Sequence, residues 1–135
     1  MIEGEKAKAE GAHKVMEDAG FGVFDTGGGN MAWSSEAKAP KTDNSYVLIS
    51  NDGSTDGDPD GKIWTVGRYG IEGGFVEMYN EYALQEAIEI SKLLPSPHFK
   101  DQYGADVFQE GGYDSLEQAI EENNQLLAGE GPKPR

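Results

Sequence analysis

The spacing of apolar residues in this chain changes character twice, and that change limits the fold more than any other feature. Between Glu5 and Ala19 the positions Ala9, Ala12, Val15, Met16 and Ala19 recur at helical intervals, and Glu10 supports Lys14 at i,i+4. From Phe21 to Tyr79 the apolar runs are short, rich in β-branched and aromatic residues, and broken by Gly and Asp. From Asn80 the helical interval returns, with Leu84, Ala87, Ile88 and Ser91 on one face. Strands bracketed by helices read as an α+β protein. The expectation is an antiparallel meander of four to five strands, with an N-terminal helix and two C-terminal helices packed on it.

Local signals place the boundaries. Gly20 followed by Phe21 is the sequence form of a Schellman stop for the first helix. Phe21 to Asp25, the turn Thr26-Gly27-Gly28-Gly29-Asn30 and Met31 to Ser34 read as a hairpin. Glu36 to Asn44, with Pro40, reads as a loop, and Tyr46 to Ile49 as a buried central strand. After the Asp/Gly-rich segment Asn51 to Gly61, Ile63 to Val66 and Gly74 to Tyr79 are further strands. Asn80 is the expected N-cap of the second helix, and Pro95 its stop. A loop with Pro97 and His98 leads to a short strand at Val107-Phe108. Asp114-Ser115-Leu116-Glu117 then reads as an acidic capping box for a last helix that turns Leu116, Ala119, Ile120 and Leu127 inward. Residues 1–128 are expected to form one domain and 129–135 a flexible tail.

Composition narrows the function classes. The chain has 135 residues, enough for one core, and it has no Cys, so disulfides and thiolate metal sites are excluded and a reducing compartment is expected. No apolar run approaches the roughly 20 residues that span a bilayer, and Met1 to Lys6 lacks the layout of a signal peptide. The expectation is therefore a cytoplasmic protein without membrane contact. A net charge of -14, with Arg68 and Arg135 the only arginines, disfavours direct nucleic-acid binding and favours a basic protein partner.

Among the motifs, Asp56-Gly57-Asp58-Pro59-Asp60-Gly61-Lys62-Ile63 resembles the opening of an EF-hand calcium loop. Asp56, Asp58 and Asp60 would supply carboxylates and Lys62 its carbonyl; calcium is the one cofactor the sequence suggests. The twelfth position is Gly67 where that family carries a bidentate Glu, so Glu72 or Glu77 would have to close the shell. The competing reading is an Asp/Gly turn between two strands. Val23-Phe24-Asp25-Thr26-Gly27 is similar to the aspartic-protease signature, but its following residues continue as a turn. Gly27 to Gly29 lack the Lys and Ser/Thr of a phosphate-binding loop. His13 and His98, the only histidines, lack Cys partners for a zinc site or a catalytic pair.

Trp33, Trp64, Tyr69 and Tyr79 lie on or beside strands, where alternation sends some inward and others outward. Of these, Trp33, Trp64 and Tyr69 are candidate partner anchors, together with the acidic residues Glu117, Glu121 and Glu122 of the last helix. That acidic run also reads as a plain solvated face.

Gly20 to Gly29, Ala32-Trp33 and Tyr46 to Ile49 together resemble short uncharacterised proteins encoded by phages and mobile elements. The resemblance implies a host-cytoplasm setting and brings no site with it. Small acidic phage proteins are often inhibitors that occupy the nucleic-acid site of a host enzyme, and this charge suits such a role. The leading expectation is thus a non-enzymatic acidic binding protein, an inhibitor or nucleic-acid charge mimic that engages a basic partner. A calcium-binding module is the alternative. A small hydrolase comes last, because no acid, base and nucleophile assemble from the polar residues.

Overall fold

The computed structural model describes residues 11–36 and 45–128. Of the loop expected from Glu36 to Asn44, Glu36 is the last residue of a strand and the rest lies outside that range, as do the first residues of the opening helix and the expected tail over 129–135. The described helix α1 covers residues 11–18. There follow β1 (Gly22–Gly27), β2 (Asn30–Glu36), β3 (Ser45–Ser50), β4 (Thr65–Gly70), β5 (Phe75–Met78), α2 (Leu84–Leu93), β6 (His98–Lys100), β7 (Asp106–Phe108), β8 (Glu110–Tyr113) and α3 (Leu116–Leu127).

The fold is α+β: among the described residues a six-stranded sheet in the order β1-β2-β3-β4-β5-β8 carries three helices, and β6 and β7 form a separate ribbon. The first five strands are the expected antiparallel meander. The sixth differs: β8 lies parallel to β5, with Met78 opposite Tyr113, and α2 lies in the long crossover that a parallel pair requires. Two glycines hid this strand from its β-propensity. A Cβ on Gly111 would come within 2.9 Å of the hydroxyl of the buried Tyr113, and one on Gly112 would displace the exposed Tyr79 ring.

The helix ends follow local chemistry. Gly20 sits at φ 91°, Phe21 N–H donates to Met16 O at 2.9 Å and Gly20 N–H to Glu17 O at 3.1 Å, which is the full Schellman pattern. Phe21 and Met16 then share the core. Helix α2 stops one residue before Leu94, whose extended ψ of 137° is what the following Pro95 demands. Its face of Leu84, Ala87, Ile88 and Ser91 is buried as the spacing requires.

Two caps fall elsewhere than the sequence suggests. Ala83, not Asn80, is the N-cap of α2, with its N–H given to Glu86 Oε1. Asn80 instead donates its side-chain amide to Asp114 O, tying the entry of α2 to that of α3. At α3 the cap is Ser115, which accepts from Gln118 N–H at 3.2 Å, while Gln118 Oε1 accepts from Asp114 N–H at 3.0 Å. The stripe of α3 is also narrower than expected: Ala119 is buried, but Ile120 and Leu127 remain 38% and 45% exposed.

One face of the sheet is covered and the other is open. Val47, Ile49, Val66, Val76 and Trp33 point to the helices, where they meet Met16, Leu84, Ile88 and Leu94 in a single core. Two buried polar side chains fasten the layers. Arg68 donates to Ser45 Oγ and Leu94 O. Gln109 donates to Tyr113 Oη and Ala119 O, and accepts from Asn123. On the opposite face Tyr46, Leu48 and Ser50 alternate with the core residues and stay partly exposed.

Candidate functional site

Strand register builds a row of rings across the open face. Phe24 pairs with Ala32, Tyr46 with Tyr69, and Tyr69 with Phe75, so these aromatics share one side of the sheet. The Phe24 and Tyr46 rings stand 6.1 Å apart, and Tyr46 and Tyr69 stack at 5.8 Å with 29° between their planes. Gly67 makes room for the last of these: a Cβ there would lie 2.6 Å from the Tyr69 hydroxyl.

The Tyr69 hydroxyl donates to Glu77 Oε2 at 2.7 Å. Burial above all, then the hydrogen bond and negative charge of Glu77, push the Tyr69 hydroxyl far above the usual tyrosine range, which keeps it a donor. Beside this pair lies a hollow of about 450 Å³ lined by Thr26, Asn30, Leu48, Ser50, Thr65 and Glu77 among others. Thr65 spends its hydroxyl proton on Ser50 O, so its lone pairs remain as acceptors. The rest of the lining is apolar, from Met31, Ala32, Leu48, Val66 and Met78.

No described basic side chain reaches this face. Lys14, Lys62, Lys92 and Lys100 pair with Asp18, Glu86, Glu89 and Asp106, and Arg68 is buried against the helices. Among the described residues, Tyr69 is the hydrogen-bond partner of the half-buried Glu77 carboxylate, and no cation stands against it.

The residues singled out in the sequence fall into three separate places. Tyr69 belongs to the open face. Trp33 and Trp64, at 1% and 0% exposure, lie in the core and offer no surface to a partner, a correction that follows from the register facing them toward the helices. Their indoles instead hold the 51–62 segment from beneath: Trp33 donates to Thr55 O and Trp64 to Asp58 O, each at 3.0 Å. Glu117 and Glu121 are exposed on α3, and Glu122 is half-buried there, near the Tyr113 hydroxyl that burial pushes upward.

The Asp-rich segment is tied up in its own turn. Asp56 faces His13 at 2.8 Å, and that ring stands edge-on to Trp33. Asp58 Oδ1 accepts from Asp60 N–H, Asp58 O from Gly61 N–H, and Pro59 O from Leu84 N–H. Lys62 pairs with Glu86. Among the described residues no three His, Asp or Glu side chains gather as a metal site. Asp25 and Thr26 likewise serve the hairpin, Asp25 accepting from Gly27 N–H and Thr26 donating to Asn30 O.

Sequence reasoning passed over Phe24, Tyr46 and, as part of this surface, Glu77. Alternation within Tyr46-Val47-Leu48-Ile49 contained the signal for Tyr46, since Val47 and Ile49 are the natural core pair. No family model matches the chain, and neither a curated protein nor a solved structure matches it significantly. No described helix is long and apolar enough to cross a membrane.

Proposed function

We propose that this chain is a non-enzymatic binding protein that engages a basic protein partner through the open face of its sheet. The observation that carries the reading is the composition of that face: stacked aromatic rings beside a carboxylate, with no described Lys or Arg among them. Aromatic side chains supply contact area at small entropic cost, and a cation gains from both ring faces and carboxylates. The net charge of -14 adds long-range attraction for a basic surface and repels nucleic acid. The resemblance of Gly20 to Gly29 and Tyr46 to Ile49 to short phage and mobile-element proteins suits a partner in a host cytoplasm, in the manner of an enzyme whose nucleic-acid site is occupied by an acidic mimic.

The test is competition. Purified nucleic-acid-binding proteins of positive surface charge are titrated onto the immobilised chain, with and without DNA. The reading expects binding that DNA displaces, that weakens steeply with salt, and that Tyr46→Ala lowers by at least about tenfold. Equal binding at low and high salt would refute it. Loss on Glu117→Gln with Glu121→Gln, and not on Tyr46→Ala, would move the docking surface to α3.

A further inference from the structure

We infer that the hollow beside Glu77 is a receptor for one arginine side chain, projecting from the basic partner; the inference deepens the function proposed above and rests on it for the source of that arginine. Three features of the hollow ask for a cation. Its lining includes a half-buried carboxylate that no described cation neutralises. Leaving such a charge partly desolvated and unpaired is unfavourable, and a bound cation removes the cost.

The second feature is the division of labour within the Tyr69–Glu77 pair. Tyr69 holds Oε2 of Glu77 at 2.7 Å, which fixes the carboxylate and leaves Oε1 for an incoming donor. The third is the rest of the lining. The hydroxyls of Thr65, Ser50 and Thr26 and the side-chain amide of Asn30 continue the lining across the strands away from the carboxylate, and Leu48 gives an apolar surface for a methylene stem. A guanidinium presents five N–H donors in a plane and accepts nothing, so it matches the Glu77 carboxylate and the free lone pairs of Thr65 better than a neutral amide or an anion does. Its flat face also suits the ring of Tyr69, which lines the hollow.

The volume agrees with one side chain and its hydration. At about 450 Å³ the hollow falls in the ordinary range for small-ligand sites, and it opens to solvent on the face where the partner would dock. The charge complementarity is local as well as global, because the described lysines are paired with other carboxylates.

The probe is N-acetyl-arginine amide, added to the isotope-labelled full chain and followed by amide chemical shifts. N-acetyl-citrulline amide, of nearly the same shape and without charge, is the control. The inference expects saturable shifts at Ser50, Thr65 and Glu77 with the arginine probe and none with citrulline. Glu77→Gln keeps an acceptor for Tyr69 and should weaken the probe at least about tenfold, as loss of a charge-assisted bond does. Glu110→Gln, on the neighbouring strand β8, should leave it unchanged. Equal shifts from citrulline, or shifts that survive Glu77→Gln, would overturn the inference. If the probe fails while a basic protein still binds with Tyr46 dependence, the arginine site falls and the docking face stands. If the probe binds as described while no basic protein associates, the site stands and the proposed partner class falls.

Discussion

Replacing Tyr69 by Phe removes one oxygen and tests the central contact of the open face in both its neutral and its alkaline form. At neutral pH the variant deprives Glu77 of its described hydrogen-bond donor. A hydrogen bond to a charged acceptor contributes about 1.5–3 kcal/mol, and the partial exposure of Glu77 lets water recover some of it, so a loss of about 1.5 kcal/mol is expected. The sign of the pH effect follows from the raised Tyr69 pKa: the folded hydroxyl keeps its proton where the unfolded one, with an ordinary value of 10.0, releases it. Above about pH 10 the unfolded state therefore binds fewer protons, and folding loses about 1.4 kcal/mol per pH unit for this group. Tyr69→Phe has no such proton to lose. The stability gap between the two proteins should thus close from about 1.5 kcal/mol at pH 7–9 to near zero at about pH 11. Urea unfolding at a series of pH values measures it, with the slope m checked for constancy. Parallel curves from pH 8 to 11 would refute the reasoning, because Tyr113 and the remaining tyrosines are common to both proteins.

Gln109→Leu should cost about 3 kcal/mol, since it strips Tyr113 Oη, Ala119 O and Asn123 of a buried partner; a urea midpoint corresponding to less than about 1 kcal/mol would contradict that account. Excess calcium should leave the thermal midpoint where chelator leaves it, with magnesium as control, because the carboxylates of Asp56 and Asp58 are already engaged by His13 and Asp60 N–H. A calcium-specific stabilisation near 2.7 kcal/mol, the value for a ligand at about 100 times its dissociation constant, would return the 56–62 segment to the list of binding sites.

Signals that depend on a few neighbouring residues were legible. Gly20 and Phe21 close α1 by bonds to Glu17 and Met16, Gly27 to Gly29 turn the β1–β2 hairpin at positive φ, and Pro95 ends α2 through the backbone of Leu94. The buried face of α2 was legible for the same reason, since its period is set by one helix. Caps were less so: Asn80 has the chemistry of an N-cap, yet its amide does more by bridging to Asp114 O across two elements.

The candidate site was legible only in fragments. Tyr69 and Glu77 stand eight residues apart, and nothing in the linear chain shows that β4 and β5 place them on the same face, with Gly67 of β4, opposite Glu77, clearing the space. Trp33 and Trp64 have the same composition signal as Tyr69, but a shift of one position along a strand reverses the face, and the pairing of Trp33 with Ile49 sends it inward.

Local signals in the chain set the α+β class, the antiparallel order of the first five strands, the C-terminal ends of α1 and α2 and the acidic balance, because each depends on local periodicity, backbone restriction or simple charge count. Tertiary structure alone decided that the glycine-rich β8 joins β5 in parallel, that two tryptophans sit beneath the Asp-rich turn, and that Phe24, Tyr46, Tyr69 and Glu77 form one surface. These are contacts between residues distant in the chain. Their energies exist only once the sheet has closed the distance and chosen the register.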